Sequence, residues 1–217
     1  MNKNIYQLLL TTLPLLFSAC NSTTVQNPAP IEEKIQIVSE ATVTDTQPQS
    51  SNMAVNYAND NEKIRHLGDL HINSYLQTMK PTLQGLMKSD PTHQTAMGAC
   101  STLGQGMTND YNRVSDVKIK RTALKYRNPI NQPDHTDTVV MERFLASNDF
   151  KKSLVVDMGN NYRVYKALEI KQPCLACHGS NISSDLKAML VKKYPADLAT
   201  NFKLGEFRGV VVAEITK

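Results

Sequence analysis

Cys174 and Cys177 stand two residues apart, and His178 follows at once, in the run Pro173-Cys174-Leu175-Ala176-Cys177-His178-Gly179. Two thiols at this spacing can reach the two vinyl groups of one porphyrin, because two intervening residues let the backbone close a single tight turn. The next residue then presents an imidazole to the iron as its proximal ligand. The chemistry this predicts is covalent attachment of one c-type haem, whose potential becomes the quantity the protein tunes. A zinc site would need further ligands from a second Cys or His cluster, and the sequence holds no other paired cluster. A thioredoxin-like redox pair would follow a buried strand and open a helix in a βαβ unit, whereas this motif follows a charged strand and a proline.

Several elements must hold that motif in place. Between Asn61 and Met87 the apolar residues Ile64, Leu67, Leu70, Ile72, Leu76, Met79, Leu83 and Leu86 recur at threes and fours, as on an amphipathic helix that Pro81 should kink or divide. A second helix is predicted from Asp90-Pro91, with Asp90 as cap, through Cys100 toward Met107. Residues 117–126 alternate as a strand, residues 127–134 carry turn chemistry, and Val139, Val140, Phe144 and Leu145 suggest a third helix. Residues 153–158 and 161–170 read as a hairpin turning at Gly159-Asn160. A short helix over 185–193 and a last strand over 207–215 complete an α+β domain, helices on an antiparallel sheet of about four strands.

The N-terminal part reads differently. Lys3 followed by the apolar run Ile5 to Phe17 is too short to span a bilayer and has the form of an export signal over residues 1–19. Leu16-Phe17-Ser18-Ala19-Cys20 resembles a lipobox, which makes Cys20 a lipidated residue holding the protein to a membrane; Asn21, in place of aspartate, favours the outer membrane facing the periplasm. The alternatives are the inner membrane or a soluble periplasmic protein with an ordinary cleaved signal. Residues 20–58, rich in Thr, Ser, Gln, Asn and Pro, are predicted to be a disordered tether, leaving one domain over 59–217. The formal charge of +4 comes without a dense Lys/Arg block, which argues against nucleic acid as a partner.

With Cys20 and the motif pair assigned, Cys100 is left over, and an unpaired thiol in an oxidising compartment calls for burial or a task. Ala96, Cys100, Leu103 and Met107 share a helix face, so Cys100 is predicted to point at the core. It can then be a small buried hydrophobe or a thiolate opposite His178, with Met97, Met107, Met158, His66, His71, His93 and His135 as competitors for that place.

The runs Arg121-Thr122-Ala123-Leu124-Lys125-Tyr126-Arg127-Asn128-Pro129-Ile130-Asn131-Gln132-Pro133-Asp134, Cys174 to Gly179, Tyr194-Pro195-Ala196-Asp197-Leu198-Ala199 and Leu204-Gly205-Glu206-Phe207-Arg208-Gly209 occur in this order. Together they resemble a family of monohaem c-type proteins with a PAS-like fold, found as small exported proteins and as periplasmic input domains of sensor kinases. The resemblance implies a cysteine on the second helix as the iron ligand opposite the histidine, and Cys100 holds that place. A thiolate would favour Fe(III) and lower the potential relative to His/Met ligation. Arg121, Lys125, Arg127 and Arg208 are candidates for the haem propionates, the alternative being surface strand charge. No acid–base pair or nucleophile is evident, so an enzyme is not predicted. Electron transfer or redox sensing through an unidentified redox partner or sensor protein is, with gas or small-ligand sensing as the alternative.

Overall fold

In the computed structural model of the chain, residues 60–217 are described. The expected leader over 1–19, the expected lipidation of Cys20 and the expected tether over 20–58 fall outside the described residues.

The last strand explains the architecture. β4 (Phe207–Thr216) reads FRGVVVAEIT, a nearly continuous apolar run, as a strand covered on both faces must. It lies inside an antiparallel sheet of order β1-β4-β3-β2, built with β1 (Lys118–Thr122), β2 (Leu154–Asp157) and β3 (Asn161–Glu169). Its alternate side chains serve two cores. Val211, Ala213 and Ile215 pack with Ile72, Tyr75 and Leu76 of helix α1 (Asp60–Ser89). Val210 and Val212 pack with Val140, Met141 and Phe144 of helix α3 (His135–Ser147). The sheet is thus the middle of three layers, and α2 (Gln94–Val114) lies beside α1.

α1 reaches the sheet through Gly68, where an added Cβ would sit 2.4 Å from Val164 Cβ. Val164 is fully buried and β-branched, so it has little room to yield. Gly68→Ala should therefore destabilise the fold by about 1–3 kcal/mol through overpacking. Gly85, on the same helix with nothing within 4 Å of an added Cβ, is the control; Gly85→Ala should stabilise by roughly 0.8–1.0 kcal/mol. Urea denaturation of the two variants checks both signs.

Three expectations are corrected. Pro81 neither divides α1 nor ends it, because its ring faces solvent and the unbonded carbonyl one turn back can take water. α2 begins at Gln94 instead of Pro91; Asp90 still caps it, accepting from the Thr92 and Thr95 amides at 2.8 Å each, while His93 turns the chain at φ 59°. β1 stops at Thr122, since Thr122 Oγ1 and the Ala123 amide turn away to the Asn131 carbonyl at 3.1 and 3.4 Å. The hairpin forms at the predicted place, with Gly159 at φ 87° supplying the left-handed turn residue. No described helix is long and apolar enough to cross a membrane.

Candidate functional site

The motif follows β3 directly. Ile170 exchanges backbone hydrogen bonds with Glu206 and Gly205 (2.9 Å each), fixing the strand's exit against the start of β4. A 3-10 turn (Gln172–Cys174) then runs into a single α-turn, α4 (Leu175–His178), closed by Gly179 N–H donating to the Leu175 carbonyl at 2.9 Å. A helical turn places residues three apart on one side, so Cys174 and Cys177 share a face. Both thiols are free and half-buried, and burial pushes that of Cys177 up.

His178 is set by a loop some twenty residues on. Its Nδ1 lies 2.7 Å from the Ala199 carbonyl, and a carbonyl only accepts, so Nδ1 carries the proton. The lone pair of the neutral ring is therefore on Nε2. Burial, followed by the Arg208 and Arg127 charges, pushes the imidazole pKa down to about 3, so the neutral form prevails at ordinary pH. Phe202 stands edge-on to the ring with centroids 6.3 Å apart, and its amide donates to the His178 carbonyl at 2.9 Å.

Arg127 ties this loop to the motif. Its Nε donates to Asp197 Oδ2 at 2.9 Å, and its Nη2 donates to the carbonyls of Cys177 (2.6 Å) and Ala199 (3.2 Å). The second of these is the carbonyl that orients His178. Asp197 Oδ1 takes the Ala199 amide at 2.8 Å, completing the clamp.

Cys100 is not on the core face of α2. The buried positions there are Ala96, Met97, Gly104 and Thr108, while Leu103 is 47 % exposed. Cys100 is reached by solvent, yet desolvation by surrounding protein pushes its thiol up, with Arg121 and Arg127 acting in the opposite sense. The two observations agree for a side chain in a concave wall, where solvent touches the sulfur but little of its surroundings is water. Cys100 also adds to the upward push on the Cys177 thiol, so the two thiols lie near enough to act on each other electrostatically.

Two further cations act on these groups, Arg121 on Cys100 and Arg208 on His178. Arg121 lies against Gly104, where an added Cβ would meet Nη2 at 3.3 Å; its Nη1 approaches Met79 Sδ at 3.8 Å, and its buried Nε has no hydrogen-bond partner. Arg208 donates to the Lys125 carbonyl at 3.1 Å and lies over the Phe202 ring. Burial and the Arg127 charge pull its pKa down to about 10, so it stays protonated at neutral pH. Neither guanidinium has a carboxylate partner within ion-pair distance among the described residues. Lys125 donates to the Thr200 carbonyl at 2.6 Å and also covers Phe202.

Cys100, Arg121, Arg127, Cys174, Cys177, His178 and Arg208 are thus brought together, and Lys125 joins them at Phe202. Of the competing ligands, Met97 is packed with Leu186 and Leu190 of α5 (Ser184–Lys193), Met158 lies on the α3 side of the sheet, and His71 is bonded to Tyr111. The sequence assigns no role to Asp197, Ala199 or Phe202; Asp197 and Ala199 fall in the Tyr194 to Ala199 run, and Phe202 falls in none of the runs. The residues fit the group the motif implies: a neutral imidazole with a free lone pair, two thiols on one face, and unpaired cations where carboxylates could lie.

Residues 31–216 match the Tll0287-like family. Among solved structures, the crystal structure of the cyanobacterial heme-protein Tll0287 superposes with a TM-score of 0.53 at 21 % identity, covering 67 % of this chain and 92 % of that one. That likeness is one of fold. The chain matches no curated protein.

Proposed function

This chain belongs to the Tll0287-like family, and from that premise we propose that it carries one covalently attached haem and acts in electron transfer or redox sensing, without catalysis. The observation that carries the reading is His178, whose Nδ1–H is committed to Ala199 and whose Nε2 lone pair stands free beside two thiols at attachment spacing. Cys174 and Cys177 would form the thioether links, and Nε2 of His178 and Sγ of Cys100 would hold the iron. When bound, the haem would supply one-electron Fe(III)/Fe(II) chemistry. Arg121 and Arg208 are the cations suited to its propionates, having no carboxylates of their own. Arg127 acts instead as a positioning residue, its donors being spent on Asp197, Cys177 and Ala199. The Cys20 lipobox supports a lipoprotein that holds this domain at the periplasmic side of the outer membrane, where a redox partner or a sensor protein would read its state.

A second reading, gas or small-ligand sensing, is favoured by one observation: solvent reaches Cys100, so a small molecule could replace it. The mature protein, made in cells able to attach haem c, should gain the mass of one haem. Cys100→Ser should alter the oxidised visible spectrum and raise the midpoint potential, because removing an anionic sulfur disfavours Fe(III). An unaltered oxidised spectrum rules out thiolate ligation, and a colourless protein without the added mass rules out the haem. Carbon monoxide binding by the reduced wild type would select the sensing reading.

A further inference from the structure

A cavity of about 590 Å³ opens beside the α3 core, and the proposed function leaves it unused. Its apolar lining comes from Leu124, Leu145, Phe150, Phe202, Leu204 and Phe207. Leu124, Phe150 and Phe207 belong to the core under α3, and the Phe150 and Phe207 rings stand 5.4 Å apart. Leu145, on α3, and Leu204, just before β4, are 48 % and 60 % exposed. A lone exposed leucine means little. Here two of them border one concave apolar surface of the size that takes a small ligand. Backbone turns hold both segments in place. Asn148 ends α3 at φ 51°, its amide donating to the Phe144 carbonyl at 2.9 Å. Gly205 sits at φ 83° and donates to the Ile170 carbonyl, whose own amide donates to Glu206, at 2.9 Å each. The cavity is therefore formed before any ligand arrives, and binding costs little in ordering the chain.

Three charged side chains line the same cavity: Lys125, Arg208 and Glu206. Lys125 Nζ lies 4.2 Å from the centre of the Phe202 ring, and Arg208 covers that ring as well. The ammonium has three donors, of which the Thr200 carbonyl takes one, at 2.6 Å. Neither cation has a carboxylate partner within ion-pair distance among the described residues. Two positive charges against one negative leave the lining at +1. A monoanion neutralises it, whereas a dianion such as a phosphate monoester would bring an excess charge toward Glu206. An anion placed among apolar side chains needs such a cation beside it, and an apolar body needs the leucines and rings.

We propose that this cavity binds a carboxylate carried on a small apolar body. Lys125 takes the carboxylate, while Leu145, Leu204 and the phenylalanine rings take the body. Arg208 adds to the field but is also suited to a propionate of the proposed haem; Lys125 is the cation left over. The ligand site and the candidate haem site share Phe202, whose ring also stands edge-on to His178. Binding here calls on no iron chemistry, so the inference stands apart from the proposed function.

Isothermal titration of the full chain with 3-phenylpropionate tests this, with 3-phenylpropionamide and propionate as controls for the charge and for the apolar body. Wild type should bind the acid about tenfold more tightly than the amide, the worth of one charge-assisted contact. Propionate, which has no ring to bury, should bind at least about tenfold more weakly than the acid. Lys125→Gln keeps a polar side chain without the charge and should bind acid and amide equally. Leu145→Glu sets a like charge at an exposed position of the lining and should weaken the acid by about tenfold or more. Circular dichroism establishes that both variants are folded, and intact mass gives their haem content. A wild type that takes up no 3-phenylpropionate at millimolar concentration overturns the inference. Binding unchanged in both Lys125→Gln and Leu145→Glu overturns it too, by putting the ligand elsewhere. Binding confined to protein without haem would assign Lys125 to the propionates and overturn it as well. If no sample carries haem, the proposed function fails, while the contrasts between acid and amide and between wild type and the variants still decide the cavity.

Discussion

Replacing Arg127 with methionine should cost about 3–5 kcal/mol of unfolding free energy, the range for removing one partner of a buried, hydrogen-bonded ion pair. Methionine fills much of the same space, so the loss is electrostatic more than steric. Asp197, with 10 % of its side chain exposed, would keep its charge without a counterion, and the carbonyls of Cys177 and Ala199 would each lose a donor. The consequence for function follows from the second carbonyl. With Arg127 gone, Ala199 is held by fewer contacts, and the hydrogen bond that fixes the His178 tautomer loosens with it. The fraction of purified protein carrying a thioether-linked haem mass should fall accordingly. Arg127→Lys should be intermediate, since an ammonium can reach one acceptor but lacks the planar fork that serves three. Urea denaturation gives the stability change and intact mass gives the attachment; a wild-type urea midpoint in Arg127→Met would remove the clamp from this account.

Why that clamp was invisible in the chain, while its target was plain, is a matter of range. Cys174, Cys177 and His178 are legible because attachment needs them within five consecutive residues, and the local turn they form requires nothing distant. Arg127 and Asp197 meet across 70 residues, and the group that orients His178 is a backbone carbonyl, which no residue type advertises. The orientation of Cys100 failed for another reason. The buried side of α2 is lined by Gly104 and Thr108, which carry little apolar signal, so a search for apolar spacing selected a face rotated from the real one. Gly104 is buried because Arg121 lies against it, and Thr108 because Tyr75 bonds to it. By contrast the apolar run of β4 reflects both cores at once, since each of its faces is covered by a helix.

Asp137 governs the opposite face of the sheet, and Asp137→Ala should destabilise by about 3–5 kcal/mol. The residue is 1 % exposed and accepts from four donors: the Asp134 amide at 3.1 Å, Tyr165 Oη at 3.0 Å, Arg163 Nη1 at 3.4 Å and Lys120 Nζ at 2.9 Å. These donors come from the start of α3, β3 and β1, so one carboxylate closes a helix cap and joins two strands that are not neighbours. Alanine would leave the buried Tyr165 phenol without its acceptor and open the cap, while Arg163 would keep only Asp134 and Glu214. Asp137→Asn keeps an acceptor oxygen and the shape but removes the charge, so its loss should be smaller than that of alanine. Acid acts on the same network through Asp134. Burial opposes its charged form, but the Asp137 amide, Arg163 and Lys120 outweigh that and hold its pKa down to about 2. A carboxyl depressed in the folded state contributes stability above its unfolded pKa of 3.8, and that contribution is lost as pH falls from there toward about 2. Because Asp134 is largely exposed, solvent screening keeps this part modest. Urea midpoints of wild type, Asp137→Asn and Asp137→Ala at neutral pH should therefore fall in that order. Wild type should lose stability between pH 4 and pH 2, and so should Asp137→Ala, because the bond that depresses Asp134 is donated by the backbone amide of residue 137, which alanine keeps. A stability that stays level from pH 4 to pH 2 in both proteins would remove Asp134 as the group that titrates there.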